Sequence, residues 1–205
     1  MLSREMGRRG RGHTKLLGRL RRNEDGTTAI EFGFVAAPFF MLLFGIISIG
    51  FYYFTLFSLE NAVEEASRLM RTGQAQNGTF TGGTAGTPMT AAQFKTLVCG
   101  KLPPYMSCAT AANKVRVQVQ NFNNFAAVTI PSCVDGGGAL IDDNSAAFAP
   151  GAASTVTLVT VCYEWELPNA MPKDWWLRPQ QGNANTLSNG SSLMQAATTF
   201  VTEPF

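Results

Sequence analysis

Histidine is almost missing from this chain of 205 residues, which carries only His13. No serine-nucleophile motif is present, and no two cysteines have the close spacing of a zinc knuckle. The adjacent acids Asp142-Asp143 lie in a stretch rich in Gly, Ala and Asn, and read as solvated turn residues rather than an acid/base pair. Gly136-Gly137-Gly138 lacks the Lys-Ser/Thr ending of a phosphate loop. These absences argue against an enzyme, and no cofactor, metal or small-molecule substrate is expected.

Charge is missing in one long interval. Between Glu31 and Glu60 there is no Asp, Glu, Lys or Arg, and Phe32–Leu59 is built from Phe, Leu, Ile, Ala, Gly, Tyr and Ser with few other residues. A helix needs about 20 residues to cross the hydrocarbon core, so this run is a transmembrane candidate with helix to spare. It is too long for an ordinary secretory signal, and Ala36-Ala37-Pro38 lies inside it rather than after it. Removal by ordinary signal peptidase is therefore disfavoured. Pro38 is expected to kink or loosen the helix, and Gly33, Gly45 and Gly50 expose backbone for close helix packing. A plain anchor that tolerates these breakers explains them as well.

The basic residues are concentrated in front of this run. Residues 1–26 hold eight Lys/Arg against three acids, a net of +5, whereas residues 27–205 hold eight against eleven, a net of −3. Basic flanks of a span stay in the cytoplasm, which places the leader inside and the body outside. A nucleic-acid-binding arm is the alternative for Arg8-Arg9-Gly10-Arg11-Gly12. Residues 1–26 contain no Phe, Tyr or Trp on which bases would stack, and topology alone explains the charge, so no nucleic-acid partner is expected.

All four cysteines, Cys99, Cys108, Cys133 and Cys162, follow the apolar run. An even number there implies two disulfides in an oxidising compartment, in agreement with the charge asymmetry. Four cysteines permit three pairings. A short helix from Thr90 to Cys99 and the loop after it favour Cys99 with Cys108, and neighbouring strand ends favour Cys133 with Cys162.

Beyond Glu60 the helix is expected to continue. Leu59, Ala62, Val63, Ala66 and Leu69 or Met70 recur at helical spacing opposite Glu60, Glu64, Glu65 and Arg68, up to a stop at Thr72-Gly73. Residues 73–90 read as a linker or surface loop. Thr90 and Gln93 form a capping box for the helix that ends at Gly100 and Pro103-Pro104. Val115, Val117 and Val119 alternate with polar residues as a half-buried strand, followed by a second strand at Phe125–Ile130 and a long loop from Cys133 to Ser154. Thr155–Leu167 reads as the longest strand, with Val159, Val161, Tyr163, Trp165 and Leu167 facing the core, and Ala196–Val201 as the last. Trp175-Trp176 stands beside charges in a loop, where contact with headgroups, with a partner or with the sheet itself are all open. The fold class is α+β: a long membrane-spanning helix, extended into an amphipathic segment that packs on a small antiparallel sheet domain. The boundaries are 1–26, 27–72 and 73–205.

Glu31 is the anomaly, a carboxylate at the edge of hydrocarbon that either snorkels to the headgroups or has a function. Read with its surroundings, it resembles a known pattern. The basic leader ending at Gly26, the start Thr27-Thr28-Ala29-Ile30-Glu31-Phe32 and the long apolar helix resemble a type IV prepilin N-terminus. The run Phe-Gly-Ile-Ile-Ser-Ile-Gly-Phe at 44–51, Glu-Glu-Ala-Ser-Arg at 64–68 and, weakly, the ending Glu203-Pro204-Phe205 are most similar to TadE-like pseudopilins of the Tad (Flp, type IVb) pilus system. The resemblance is specific over residues 20–72 and loose over the rest. It implies a minor pilin cut after Gly26 by prepilin peptidase, so that Thr27 becomes the new terminus and Glu31 its fifth residue. Phe32 stands where major pilins of that system carry tyrosine, which suggests an accessory subunit. The implied partners are the inner membrane, the peptidase, other pilins and the Tad assembly platform. The implied location is a bacterial inner membrane, with the leader cytoplasmic and the body periplasmic or carried into a pilus. An uncleaved single-span protein whose exported domain binds an envelope component is the alternative.

Overall fold

The computed structural model describes residues 27–106, 108, 114–143, 146–166 and 186–205. The chain divides into two units, Met1–Gly50 and Phe51–Phe205. Helix α1, Thr27–Arg71, begins in the first and ends in the second, and it is uninterrupted at Pro38. In the first unit the described structure is this helix alone.

In the second unit, α1 closes where its sequence offers a stop. The Thr72 and Gly73 amides bond the Arg68 and Met70 carbonyls, and Gly73 takes a left-handed φ of 77°. That glycine has a second reason to be there: a Cβ on it would lie 2.4 Å from the Phe205 ring. The chain end is fixed against the helix end in the same place, with the Glu203 amide donating to the Arg71 carbonyl at 2.8 Å. Residues 73–90 are more ordered than a linker. They contain a short helix α2, Gln74–Asn77, and the Met89 amide donates to the Ala75 carbonyl, both side chains being buried.

Helix α3, Ala91–Lys101, starts with the capping box. The Thr90 side chain accepts from the Gln93 amide, and the Gln93 side chain accepts from the Thr90 amide. It runs past Gly100, the expected stop, to a C-cap at Leu102. Glycine lowers helix stability by about 1 kcal/mol without forbidding helix, whereas Pro103 removes a donor and restricts the residue before it.

Among the described residues three strands form one antiparallel sheet in the order β1-β2-β3: β1 is Val115–Phe122, β2 Val156–Trp165 and β3 Ser192–Val201. The register sets Val117 opposite Val161, and Val161 opposite Ala196. One sheet face, with Val115, Val119, Val159, Val161 and Tyr163, shares the main core with Leu59, Val63 and Met70 of α1 and Phe94 and Val98 of α3. The expectation that β1 is half-buried fails, because Arg116 and Gln118 are buried too, at 7% and 5% exposure. The stretch from Ser132 to Ile141, most of it in the expected surface loop from Cys133 to Ser154, packs on that second face. Arg116 Nε donates to the Ile141 carbonyl, and Gln118 Nε2 to that of Ser132. A smaller core forms there around Cys133, Cys162, Leu187 and Leu193.

The strand expected at Phe125–Ile130 is absent. A 3-10 turn occupies Phe125–Ala127, capped by the Asn124 side chain, and Phe125 and Ile130 are exposed. Apolar residues there do not alternate, and the edge of β1 bonds instead to Ala147 and Ala149 around Phe148. Strand β3 starts four residues earlier than Ala196, because Ser192 and Leu193 pair with Trp165 and Glu164. Disulfides join Cys99 to Cys108 and Cys133 to Cys162, with Cα separations of 5.7 and 5.8 Å.

Candidate membrane and assembly helix

From Ile30 to Gly50 every large apolar side chain of α1 except the half-buried Leu43 is exposed, at 70% for Phe32 and 81% for Phe34. An exposed apolar surface of this extent is not compatible with water and marks contact with lipid or protein. At about 1.5 Å per residue, these 21 residues rise roughly 32 Å, close to the thickness of a bilayer core. A helix satisfies its own backbone donors and acceptors, which is the condition for lying in hydrocarbon. Among the described residues, α1 is the one helix long and apolar enough to cross a membrane. Positions where a Cβ would lie on Gly33, Gly45 and Gly50 meet nothing within 4 Å. Packing inside the chain does not account for these glycines.

Glu31 lies on the exposed surface of α1, one turn after Thr27, the first residue of the helix. Among the described residues it has no ion-pair partner. Phe32 next to it is exposed as well. Gly26, Leu167 and Trp175-Trp176 lie outside the described residues.

The helix surface changes character at Phe51. Thr55 and Leu59 are fully buried, and Tyr52 and Leu56 partly so. The Thr55 and Ser58 hydroxyls donate to the carbonyls of Phe51 and Phe54, which satisfies two polar groups inside an apolar stretch. The uncharged run therefore consists of two pieces with different surroundings. Its last nine residues, Phe51–Leu59, belong with the domain rather than with the exposed segment.

Residues 26–68 match the family model of the TadE-like protein family. This stretch is similar to TadE-like proteins. The matched range starts at Gly26, contains Glu31 and Phe32, and ends at Arg68 in the last turn of α1. The matched segment thus holds both the exposed apolar surface and most of the helix that enters the main core. Its 43 residues leave α3, the sheet and both disulfides outside the match. No curated protein and no solved structure matches the chain.

The cysteines are remote in role from this helix surface, since their bridges hold α3 to its following loop and β2 to the segment covering it. Reasoning from sequence placed Trp165 on the core face of its strand but missed Tyr105, and both rings contact α1 at Phe51. Tyr105 follows a proline pair, so no local pattern links it to the helix.

Proposed function

We propose that this chain is a minor pilin or pseudopilin, a structural subunit in biogenesis of a Tad/Flp type IV pilus. The observation that carries the reading is the TadE-like match over a helix whose apolar surface is exposed from Ile30 to Gly50. In this reading residues 1–26 are a cytoplasmic leader, 27–72 the membrane and assembly helix, and 73–205 a periplasmic domain. The disulfides support an oxidising side for that domain. The family is one of structural proteins, and the role assigned to this chain involves no catalysis.

Prepilin peptidase cuts after Gly26, where the missing side chain leaves the peptide bond accessible. The cut creates an ammonium group at Thr27, one turn from Glu31. In a low-dielectric assembly, that ammonium and the Glu31 carboxylate of a neighbouring subunit pair and fix axial register, since either charge left alone there is costly. Other pilins and the Tad assembly platform are the partners.

N-terminal sequencing of the membrane-extracted protein tests the cut. A start at Thr27 is the expected result. An intact leader overturns it and leaves an uncleaved, membrane-anchored binding protein.

A further inference from the structure

Tyrosine and tryptophan are absent from residues 27–50, where every aromatic is phenylalanine, and three of the four tyrosines stand at 52, 53 and 105. Rings from three separate stretches meet there. Phe51 of α1 lies 5.4 Å from Tyr105, in the loop after α3, and 6.3 Å from Trp165, the last residue of β2. Tyr52 lies 5.4 Å from Trp165, and Phe54 stacks with Tyr105 at 6.1 Å.

The cluster lies at the rim of the core: Tyr52 and Trp165 are half-buried against it, whereas Phe51, Phe54 and Tyr105 are exposed. Tyr105 is 44% exposed although the next residue, Met106, is buried, so the loop turns Met106 inward and lays Tyr105 on the outside of the helix. Its orientation is informative. The ring rests on Phe51 and Phe54, while the hydroxyl lies 3.4 Å from Ser58 Oγ, further along the helix and away from the exposed apolar segment. An apolar ring turned towards an apolar span, with its polar end turned towards water, is the arrangement of interfacial aromatics in membranes. Charge begins on the watery side. Glu166, directly after Trp165, pairs with Lys114 at 2.6 Å, and Glu60 is the first charge on α1 after Glu31.

We infer that Phe51, Tyr52, Phe54, Tyr105 and Trp165 form an aromatic collar that seats the domain in the lipid headgroup layer at the outer end of the span. The occupant is lipid because the collar begins where the exposed segment ends, and that segment has the length of a hydrocarbon core. The inference rests on the membrane anchoring proposed above.

The test uses the full chain in phosphatidylcholine/phosphatidylglycerol vesicles, with Trp175→Phe and Trp176→Phe leaving Trp165 as the only tryptophan. Lipids brominated near the headgroup are expected to quench Trp165 about twice as strongly as lipids brominated near the bilayer centre. Protein that floats with the vesicles but is quenched by neither lipid, or more by the deep one, overturns the collar and leaves the anchor standing. Emission from Trp165 that shifts only when another pilin is added assigns the surface to a protein and likewise overturns it. Protein that does not float overturns the anchor and the collar together. Because Tyr105 is exposed, Tyr105→Ser is expected to keep the thermal midpoint and to lower quenching by the shallow lipid by about half. Unchanged quenching removes Tyr105 from the collar.

Discussion

Helix α1 contains two stretches of 21 residues each, Ile30–Gly50 and Phe51–Arg71, that share a backbone and differ in nearly everything else. The first is apolar on all sides after Glu31 and largely exposed. The second buries one stripe, Leu59, Ala62, Val63, Ala66 and Met70, and turns Glu60, Glu64, Glu65 and Arg68 outward. An apolar face all round suits a lipid or helix environment, whereas a stripe suits a protein core on one side and water on the other. Between them, Phe51–Leu59 is uncharged like the first stretch and partly buried like the second. Hydropathy records whether a side chain avoids water, and not what it meets instead.

One substitution made in both stretches gives the sharpest break between them. Leu59→Asp places a carboxylate at a fully buried site in the main core and is expected to unfold the domain, at a cost above about 4 kcal/mol. Ile46→Asp, at a residue 63% exposed, is expected to leave the domain's denaturation midpoint in detergent unchanged. Its effect falls on membrane insertion, which should lose about 3 kcal/mol. Equal effects of the two variants on domain stability would erase the distinction between the stretches.

Disulfide loss comes next and concerns the domain alone. Cys133–Cys162 closes a loop of 29 residues and Cys99–Cys108 one of 9, so chain entropy assigns about 3.5 and about 2.5 kcal/mol to them. Paired serine substitutions followed by urea titration are expected to rank them in that order, with flotation on vesicles unaffected. A smaller effect is expected of Thr90→Ala, which removes the cap of α3 and should cost the domain about 1 kcal/mol in the same titration.

Much of this arrangement is legible in the residues. The heptad-like stripe after Leu59, the Thr90/Gln93 box and the alternation Val115-Val117-Val119 are local signals, and each marks an element that forms. What escapes is non-local. Arg116 and Gln118 look like a solvent face until Ile141 and Ser132 supply carbonyls to them. Phe125–Ile130 has strand-forming residues, but a cap at Asn124 and a sheet edge already occupied near Phe148 leave it no partner. At the helix, the position of Glu31 and the length of the uncharged run were readable, while the division at Phe51 depended on rings from Tyr105 and Trp165 far along the chain. A periodicity contains its own element and not the neighbours that cover it.

The smallest expected change in stability is also the one that bears most on assembly, and it compares two acids. Glu31 and Glu64 both lie on exposed faces of α1, one in each stretch. Glu64 stands in water, where an exposed charge contributes little, so Glu64→Ala should leave folding, insertion and assembly unchanged. Glu31 stands at the edge of the apolar segment, where a carboxylate without a partner is costly and a neighbouring subunit's ammonium group relieves the cost. Glu31→Ala should therefore leave the denaturation midpoint and vesicle flotation as they are, yet reduce co-purification with a major pilin after shearing. If Glu31→Ala co-purifies as well as Glu64→Ala does, register is set elsewhere on the helix and the carboxylate does no more than reach the headgroups.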